Sequence, residues 1–528
     1  MKGFGNNNQS KKGKIYPLNN KKEDYQILNK AIKCQSEGNI VQAIKCYEFL
    51  IKKEFQESVV FANYGIILIN LGRLQEAEVS IRKAIELNPK DALLHTNLGT
   101  ILKDLGKIKQ AEVSIRKAIE LNPNYAIAHL NLGNILRDLG NFQEAALSTR
   151  KAIELNPNYA IAHLNLGNIL RDLGNFQEAA ISCCKAIEIN SNLAEAYYSL
   201  SLIKYSNQNK IWKGQLFSKK ILNNKSPKEK INIYFARANI LHKEKKYEES
   251  AKYLQLANDL KLVINPSNAS EIFNKSKQLL IESDKKKLNQ EEDTNFPESI
   301  FIVGMPRSGS TLIESILSMR NDVYDLGEIN ILEESYLEWK ESKGDIKLAE
   351  LYEQKVNNNT QLNITTNKFL YNYQYAGIIT NQIPNTKIIH CYRNPLDNIL
   401  SIYRANFARG NQYSSSLVDC AKVYLDQEEV MTQYKKRFKS KIYDLNYDLL
   451  VSNPTKEIKS LIRWLGWEWE DQYLSPHLNR RSVTTASNVQ VRSPINSKST
   501  GGWKNYKDML KPAMEIITQN NKYQDLIY

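Results

Sequence analysis

The sequence predicts a multidomain protein in which an all-α repeat solenoid is followed by an α/β domain with a parallel sheet. Three observations lead to this prediction: a repeated unit in the first half, a polar tract near the middle, and strand patterns that alternate with helical patterns in the second half. At 528 residues the chain is long enough for two or three domains with separate cores.

The composition leaves several partner classes open. Lys+Arg number 72 and Asp+Glu 57, for a formal net charge of +15, which favours phosphate-bearing or other acidic partners. The lysines are scattered, however, so a solvated basic surface explains the charge equally well. The six cysteines form no C-x-x-C pattern, which predicts reduced thiols in a cytoplasmic protein.

The amino-terminal segment, residues 1–26, is polar and basic without a following apolar run. We expect a disordered arm here rather than a signal peptide. The sequence contains no apolar run of the roughly 18 residues that a membrane-spanning helix requires, so we expect no membrane span.

The first half of the chain repeats with a period of 34 residues. The recurring positions are Gly65, Gly99, Gly133 and Gly167; Ala77, Ala111, Ala145 and Ala179; His95, His129 and His163; and Pro89, Pro123 and Pro157. The pattern of each unit predicts two amphipathic helices that cross at small residues, with a proline after the second helix. The units resemble tetratricopeptide repeats, which implies a solenoid over 27–261 whose groove binds a protein or peptide. The histidines share one repeat position and lack a second ligand nearby, so a structural role is favoured over metal binding.

A polar, charge-rich tract over 262–297 predicts a linker, and 298–528 predicts the α/β domain. The apolar runs "SIFIVG" (299–304) and "TKIIHCYR" (386–393) each precede a helical pattern, as in a parallel sheet with helices on both faces. A ligand of such a domain is expected beyond the carboxyl ends of the strands.

The loop "GMPRSGST" (304–311) has the glycine spacing of a nucleoside-triphosphatase P-loop but carries Ser310 where the lysine belongs. Backbone N–H groups at the start of the following helix should still bind an anion, helped by the hydroxyls of Ser308 and Thr311 and by the guanidinium of Arg307. Without the lysine, hydrolysis of a magnesium–triphosphate complex is poorly supported.

This loop resembles that of the sulfotransferases that use 3′-phosphoadenylyl sulfate (PAPS), which carries the pattern P-R-S-G-[ST]-[ST]. The matching residues are Pro306, Arg307, Ser308, Gly309, Ser310 and Thr311. The family's 3′-phosphate site, an arginine at a strand end and a serine eight residues later, is matched by Arg393 and Ser401. The resemblance implies a P-loop-type sulfotransferase domain with PAPS as donor and no metal.

The same resemblance implies roles for four more residues. Glu328, in "DLGEIN", matches the catalytic base of the tyrosylprotein sulfotransferase branch, and Lys368 matches a lysine that neutralises charge on the leaving phosphate. Tyr447 matches a tyrosine beside the adenine. Residues 483–506 resemble the family's late loop, which closes over the donor, and Ser487 there matches a hydrogen-bond donor to the sulfuryl group. Gly502 stands before Trp503 where many relatives carry a basic residue, so this loop departs from the family pattern.

The sequence thus predicts a PAPS-dependent sulfotransferase with a hydroxyl acceptor on a protein (tyrosine) or a glycan, and with repeats that bind the acceptor or a partner. We expect no nucleic-acid partner. Two alternatives stay open: a repeat-based interaction scaffold with a decayed nucleotide-binding domain, and a small-molecule kinase with a variant P-loop.

Overall fold

The computed structural model describes residues 18–203, 211–285, 296–343, 345–357, 360, 362–407, 410–479 and 488–527. The chain divides into two compact units, Met1–Ile169 and Leu170–Tyr528. The boundary between them falls within the repeats, inside a helix, rather than in the polar tract.

The first unit is a series of helical hairpins. Its helices are α1 (Leu18–Ser36), α2 (Ile40–Lys52), α3 (Ser58–Asn70), α4 (Leu74–Leu87), α5 (Ala92–Asp104), α6 (Ile108–Leu121), α7 (Ala126–Asp138), α8 (Phe142–Leu155) and most of α9 (Ala160–Asp172). The recurring glycines allow the two helices of a hairpin to approach closely, because a Cβ atom on Gly99 would lie 2.5 Å from Ile115 Cδ1. The predicted repeat solenoid is therefore confirmed at the positions where the helices cross.

The recurring histidines bond to the turn that precedes their own helix. The Nε2 atom of His95 donates a hydrogen bond to the carbonyl oxygen of Pro89 at 3.0 Å, and His129 and His163 make the same bond six residues back, at 2.8 and 2.9 Å. These bonds pair the proline carbonyls in the turns between successive repeats, which is the predicted structural role.

Helix α1 begins inside the segment that the sequence predicts as a disordered arm. Asp24 is buried and pairs with Lys53 at 2.9 Å, while the ring of Tyr25 packs edge-on against Phe55. These contacts with the following hairpin stabilise helix over residues 18–26, where the local sequence alone is polar.

The second unit continues the helical hairpins and adds the α/β domain. Its elements are α10 (Phe176–Ile189), α11 (Ala194–Leu202), α12 (Ile211–Phe217), α13 (Pro227–Lys243), α14 (Tyr247–Ile264), α15 (Ala269–Lys285), β1 (Glu298–Gly304), α16 (Ser310–Leu317), β2 (Val323–Gly327), α17 (Ile331–Glu341), α18 (Leu348–Asn357), β3 (Ile364–Asn367), α19 (Ala376–Gln382), β4 (Thr386–Tyr392), α20 (Pro395–Tyr403), α21 (Leu417–Arg437), β5 (Ile442–Asn446), α22 (Tyr447–Ser452), α23 (Pro454–Leu465), α24 (Asn488–Val491) and α25 (Lys507–Ile517).

The described strands form one five-stranded sheet in the order β2-β3-β1-β4-β5, and every pair is parallel. In β1, Ile300 and Ile302 pack into one hydrophobic cluster, whereas Phe301 and Val303 pack into another on the opposite face. Both faces are covered, which explains why β1 reads as a continuous apolar run. The predicted α/β domain with a parallel sheet is confirmed.

Helix α15 lies within the tract that the sequence predicts as a linker. Ile272 and Leu279 are both buried, two turns apart on one face, and Gln374 donates to the carbonyl of Ile272 at 3.0 Å. Residues 286–295 lie outside the described residues. The 17 residues of α15, nearly half of the tract, therefore form a packed helix rather than a free connector.

Candidate active site

Five candidate site residues follow the carboxyl ends of the five strands. Along the edge of the sheet they are Glu328 after β2, Lys368 after β3, Arg307 three residues after β1, Arg393 after β4 and Tyr447 after β5. Parallel strands end at the same edge and lie about 4.8 Å apart, so these residues share a strip about 20 Å long. An open α/β sheet binds its ligand at this edge, where the chain order reverses around the central strand.

The loop between β1 and α16 is built for close approach to a ligand. Arg307 and Gly309 both have positive φ, at 68° and 98°, and Gly309 caps the amino terminus of α16. A Cβ atom on Gly309 would lie 2.2 Å from Cδ2 of Tyr447, so only glycine fits beside that ring. The Oγ atom of Ser308 is buried, with no hydrogen-bond partner within the described part of the chain. A buried hydroxyl without a partner costs about 1–3 kcal/mol, which is recovered when a ligand accepts or donates there.

Arg307 and Arg393 bring two guanidinium groups to the centre of the strip. The Nε atom of Arg307 donates to Ser401 Oγ at 3.1 Å, and Arg393 Nη1 reaches the carbonyl of Arg307 at 3.5 Å. Burial, with the charges of Arg393 and Arg404, lowers the pKa of Arg307 to about 10. The cations repel one another and are stabilised when a dianion such as a phosphate lies between them.

Arg393 is 6% exposed and only partly satisfied. Its Nη2 donates to the carbonyl of Ser499 at 2.7 Å, its guanidinium faces the ring of Tyr447 at 5.0 Å, and its Nη2 lies 3.9 Å from Asp397. Its Nε has no hydrogen-bond partner among the residues that the structure describes. An arginine held in this way has a donor left for an anion.

The late loop packs onto this arginine and its helix. The hydroxyls of Tyr447 and Ser499 lie 2.9 Å apart, and Asp397 accepts hydrogen bonds from the backbone N–H groups of Gly501 at 2.6 Å and Trp503 at 2.9 Å. These backbone contacts fix the loop on both sides of Gly502, where the family resemblance implies a basic residue. The predicted sulfuryl contact, Ser487, lies outside the described residues.

Lys368 lies between two carboxylates at the other end of the strip. Its Nζ is 2.7 Å from Glu328 Oε1 and 3.7 Å from Glu314 Oε2, and its side chain is 1% exposed. Burial acts to lower the pKa of Lys368, but the charges of Glu314 and Glu328 outweigh it, so the pKa is raised and the lysine stays charged. Glu314 is three residues beyond Thr311 on α16, so this cluster adjoins the end of the loop 304–311, which we call the anion loop.

The structure thus brings Arg307, Arg393, Ser401 and Tyr447 into one cluster and Glu328 with Lys368 into a second. Sequence reasoning did not single out three contacts in this region: Ser499, the role of Asp397 in holding the late loop, and Gln490, whose Oε1 accepts from Arg307 Nη2 at 2.8 Å. Ser499 and Gln490 are distant in sequence from the strands, and Asp397 lies between Arg393 and Ser401 without being one of the matched residues, so only their contacts identify them.

Three further findings concern the described residues. Nowhere in them do three or more His, Cys, Asp or Glu side chains gather as they would around a metal ion. None of the described helices has both the length and the apolar content needed to cross a membrane. All six cysteines are free thiols.

Comparisons with known proteins place this site in a family. Residues 297–471 match the sulfotransferase family. Tetratricopeptide-repeat models match 60–91, 92–125, 115–146, 133–174, 160–193 and 231–262. The chain is therefore a tetratricopeptide-repeat protein with a sulfotransferase-family domain, and all five strand-end residues lie within that domain.

Two relatives align with parts of the chain. An uncharacterized protein of Aquifex aeolicus (strain VF5) is 32% identical over 261 residues, which are 43% of this chain and 34% of that protein. A Caenorhabditis briggsae protein named "Putative protein-tyrosine sulfotransferase" is 24% identical over 243 residues, which are 40% of this chain and 82% of that protein.

Solved repeat proteins resemble parts of the chain. The MamA protein is 23% identical with a TM-score of 0.30 and covers 33% of this chain and 94% of its own. YrrB, described as a TPR protein with an unusual peptide-binding site, is 24% identical with a TM-score of 0.31 and covers 34% and 93%. A tetratricopeptide-repeat protein from Parabacteroides merdae is 19% identical with a TM-score of 0.36 and covers 45% and 93%.

Proposed function

We propose that this protein is a sulfotransferase that moves a sulfuryl group from PAPS to a hydroxyl acceptor. The observation that carries the proposal is the strip at the carboxyl edge of the sheet. It pairs an anion loop and two arginines at the centre with a buried lysine and a half-exposed glutamate at one end.

The central cluster suits the two phosphate-bearing ends of the donor. In this proposal the loop over Ser308 to Thr311, with Arg307, binds the 5′-phosphosulfate, while Arg393 and Ser401 bind the 3′-phosphate. Two features support the fit: the buried Oγ of Ser308 and the Nε of Arg393 have no partner among the described residues. The ring of Tyr447 lies beside both Arg393 and Gly309, which supports a position next to the adenine of the donor.

PAPS supplies an activated sulfuryl group, and the residues of the second cluster assist its transfer. Glu328 takes the proton of the acceptor hydroxyl while the acceptor oxygen forms a bond to sulfur. The bond between sulfur and the bridging phosphate oxygen breaks, and Lys368 stabilises the negative charge that develops there. The products are the sulfated acceptor and adenosine 3′,5′-bisphosphate. No step requires a metal ion.

Glu328 is the stronger candidate for the base because its side chain is 51% exposed, whereas that of Glu314 is 11% exposed. An acceptor hydroxyl can therefore reach Glu328 from solvent.

We propose a protein or peptide as the acceptor, with a tyrosine hydroxyl first and a glycan hydroxyl second, and the repeat groove as the binding surface for the acceptor or for a partner. The Caenorhabditis briggsae relative is named "Putative protein-tyrosine sulfotransferase", and this name supports the tyrosine acceptor. We propose a cytoplasmic location with reduced thiols.

Ligand binding tests the donor. We expect the protein to bind adenosine 3′,5′-bisphosphate at least ten times more tightly than ATP with Mg²⁺, measured by isothermal titration calorimetry. Tighter binding of ATP would favour a kinase, and binding of neither ligand would favour a scaffold. Incubation with labelled PAPS and cell extract would then show whether the label enters protein or glycan.

A further inference from the structure

We infer that the last tetratricopeptide repeat, helices α13 and α14, is a positioning element of the donor site, because it bonds to the residues that follow the helix carrying Ser401. The inference rests on the proposed function. It assigns to a repeat a role in donor binding in addition to any role in binding an acceptor or partner.

The segment 403–407, which contains the end of α20 and the residues after it, is bonded to this repeat at four places. The bonds join Asn258 Nδ2 to the Tyr403 carbonyl at 3.0 Å, Arg404 Nη1 to His242 Nε2 at 3.1 Å, Asn406 Nδ2 to Asn232 Oδ1 at 3.1 Å, and Lys261 Nζ to the Phe407 carbonyl at 3.3 Å. Four bonds over five residues hold this segment to the repeat at nearly every position.

Hydrophobic packing joins the same two elements. Buried residues of α20 and of the repeat share one cluster: Leu396, Ile399, Leu400, Ile402 and Tyr403 from the former, and Ile231, Phe235, Ala238, Leu254 and Ala257 from the latter. The buried side chains of α20 therefore pack partly against the repeat, so the position of this helix does not depend on the sheet alone.

His242 connects two parts of the donor site. A guanidinium only donates, so the Nε2 atom of His242 accepts from Arg404 and its Nδ1 carries the proton. Nδ1–H then donates to Tyr506 Oη at 2.8 Å, and Tyr506 donates to Ser250 Oγ at 3.0 Å. Burial, with the charges of Arg404 and Lys243, lowers the pKa of His242 to about 3, so the ring stays neutral and this bonding pattern persists at neutral pH.

Both hydrogen-bond partners of His242, Arg404 and Tyr506, adjoin residues that we assign to the donor site. Arg404 is three residues beyond Ser401, and its charge is one of the two that lower the pKa of Arg307. Tyr506 ends the 3₁₀ helix Gly502–Tyr506, which belongs to the late loop fixed by Asp397. Loss of the histidine would release both the end of α20 and the late loop, while the loop after β1 is still held at its two ends by β1 and α16.

This difference gives a selective test. We would measure the dissociation constants of adenosine 3′,5′-bisphosphate and adenosine 5′-phosphate, with the melting temperature, for the full chain and its variants. His242→Phe should weaken the bisphosphate about tenfold and the 5′-phosphate by less than about twofold, because only the former uses the α20 site. His242→Gln keeps an acceptor near Nε2 and should stay within about threefold of the native protein for both ligands.

Asn239→Ala is the matched control, since Asn239 is buried on α13 but bonds to Ser201 rather than to the α20 segment. It should lower the melting temperature without changing the ratio of the two affinities. If His242→Phe does not fold, Asn232→Ala removes one of the four bonds from a half-buried position, and we expect a selective loss of about threefold in affinity for the bisphosphate.

The outcomes distinguish a failure of the positioning role from a failure of the proposed function. If the native protein prefers the bisphosphate but His242→Phe, or Asn232→Ala in its place, weakens both ligands equally or neither, the repeat has no role in donor positioning. If the native protein shows no preference for the bisphosphate, the proposed function itself fails, and the inference fails with it.

Discussion

The variant Glu328→Gln separates catalysis from folding. The Glu328 side chain is 51% exposed, glutamine keeps an acceptor for the buried Lys368, and Lys368 retains Glu314 at 3.7 Å, so we expect only a small loss of stability. General base catalysis typically accelerates a reaction by about 10²- to 10⁴-fold, equivalent to about 3–5 kcal/mol of transition-state stabilisation. We therefore expect kcat to fall by at least about a hundredfold, while the melting temperature and the affinity for adenosine 3′,5′-bisphosphate change little.

The assay is transfer of labelled sulfate from PAPS to the acceptor identified in extract, with calorimetry for donor binding. Glu334→Gln, an exposed glutamate on the first turn of α17, is the matched control and should keep full activity. Glu314→Gln should lower stability more than kcat, because that side chain is buried. A kcat within about threefold of the native value in Glu328→Gln would refute its role as base, and a large loss in Glu314→Gln alone would transfer that role to Glu314.

Three further predictions concern donor binding and stability. Arg393→Lys keeps the charge but loses the planar fork, so calorimetry should show a loss of about tenfold or more in bisphosphate affinity; an unchanged affinity would contradict the 3′-phosphate assignment. Ser308→Ala removes a buried hydroxyl without a partner in the described chain, so the melting temperature should hold or rise while donor affinity falls several-fold; a fall in melting temperature with unchanged affinity would show a structural role instead. The pKa of His242 is about 3 in the folded state and about 6.5 when unfolded, so the unfolded state binds the extra proton and stability falls as the pH drops through this window. Native protein should lose about 2 kcal/mol more than His242→Gln between pH 7 and pH 5 in urea titrations, and equal losses would contradict the lowered pKa.

Local patterns were enough to predict the two domain types. The 34-residue period depends on spacing along the chain, and residues such as Gly99 repeat because each hairpin must solve the same packing problem. The β-branched run before Gly304 predicted the central strand, and the loop after it predicted an anion site, because a strand, a tight turn and a helix are contiguous in sequence.

The predicted roles of Glu328, Lys368 and Arg393 stay predictions, but their placement has a physical basis. Each directly follows a strand, and a parallel sheet brings all strand ends to one edge. The order of residues along that edge could not be read from the chain, because strand order depends on how the crossover helices pack and not on sequence proximity.

The features that could be predicted from the chain were local: the repeat unit, the strand and helix periodicities, and the anion loop with its missing lysine. The long-range features became visible only in the folded protein: the pairing of Lys368 with Glu328, the bonds of Asp397 to the late loop, and the bonds from His242 to Arg404 and Tyr506. The last contact spans 264 positions in the chain. A hydrogen-bond partner at that distance leaves no periodic pattern in the sequence, so it becomes visible only when packing brings the elements together.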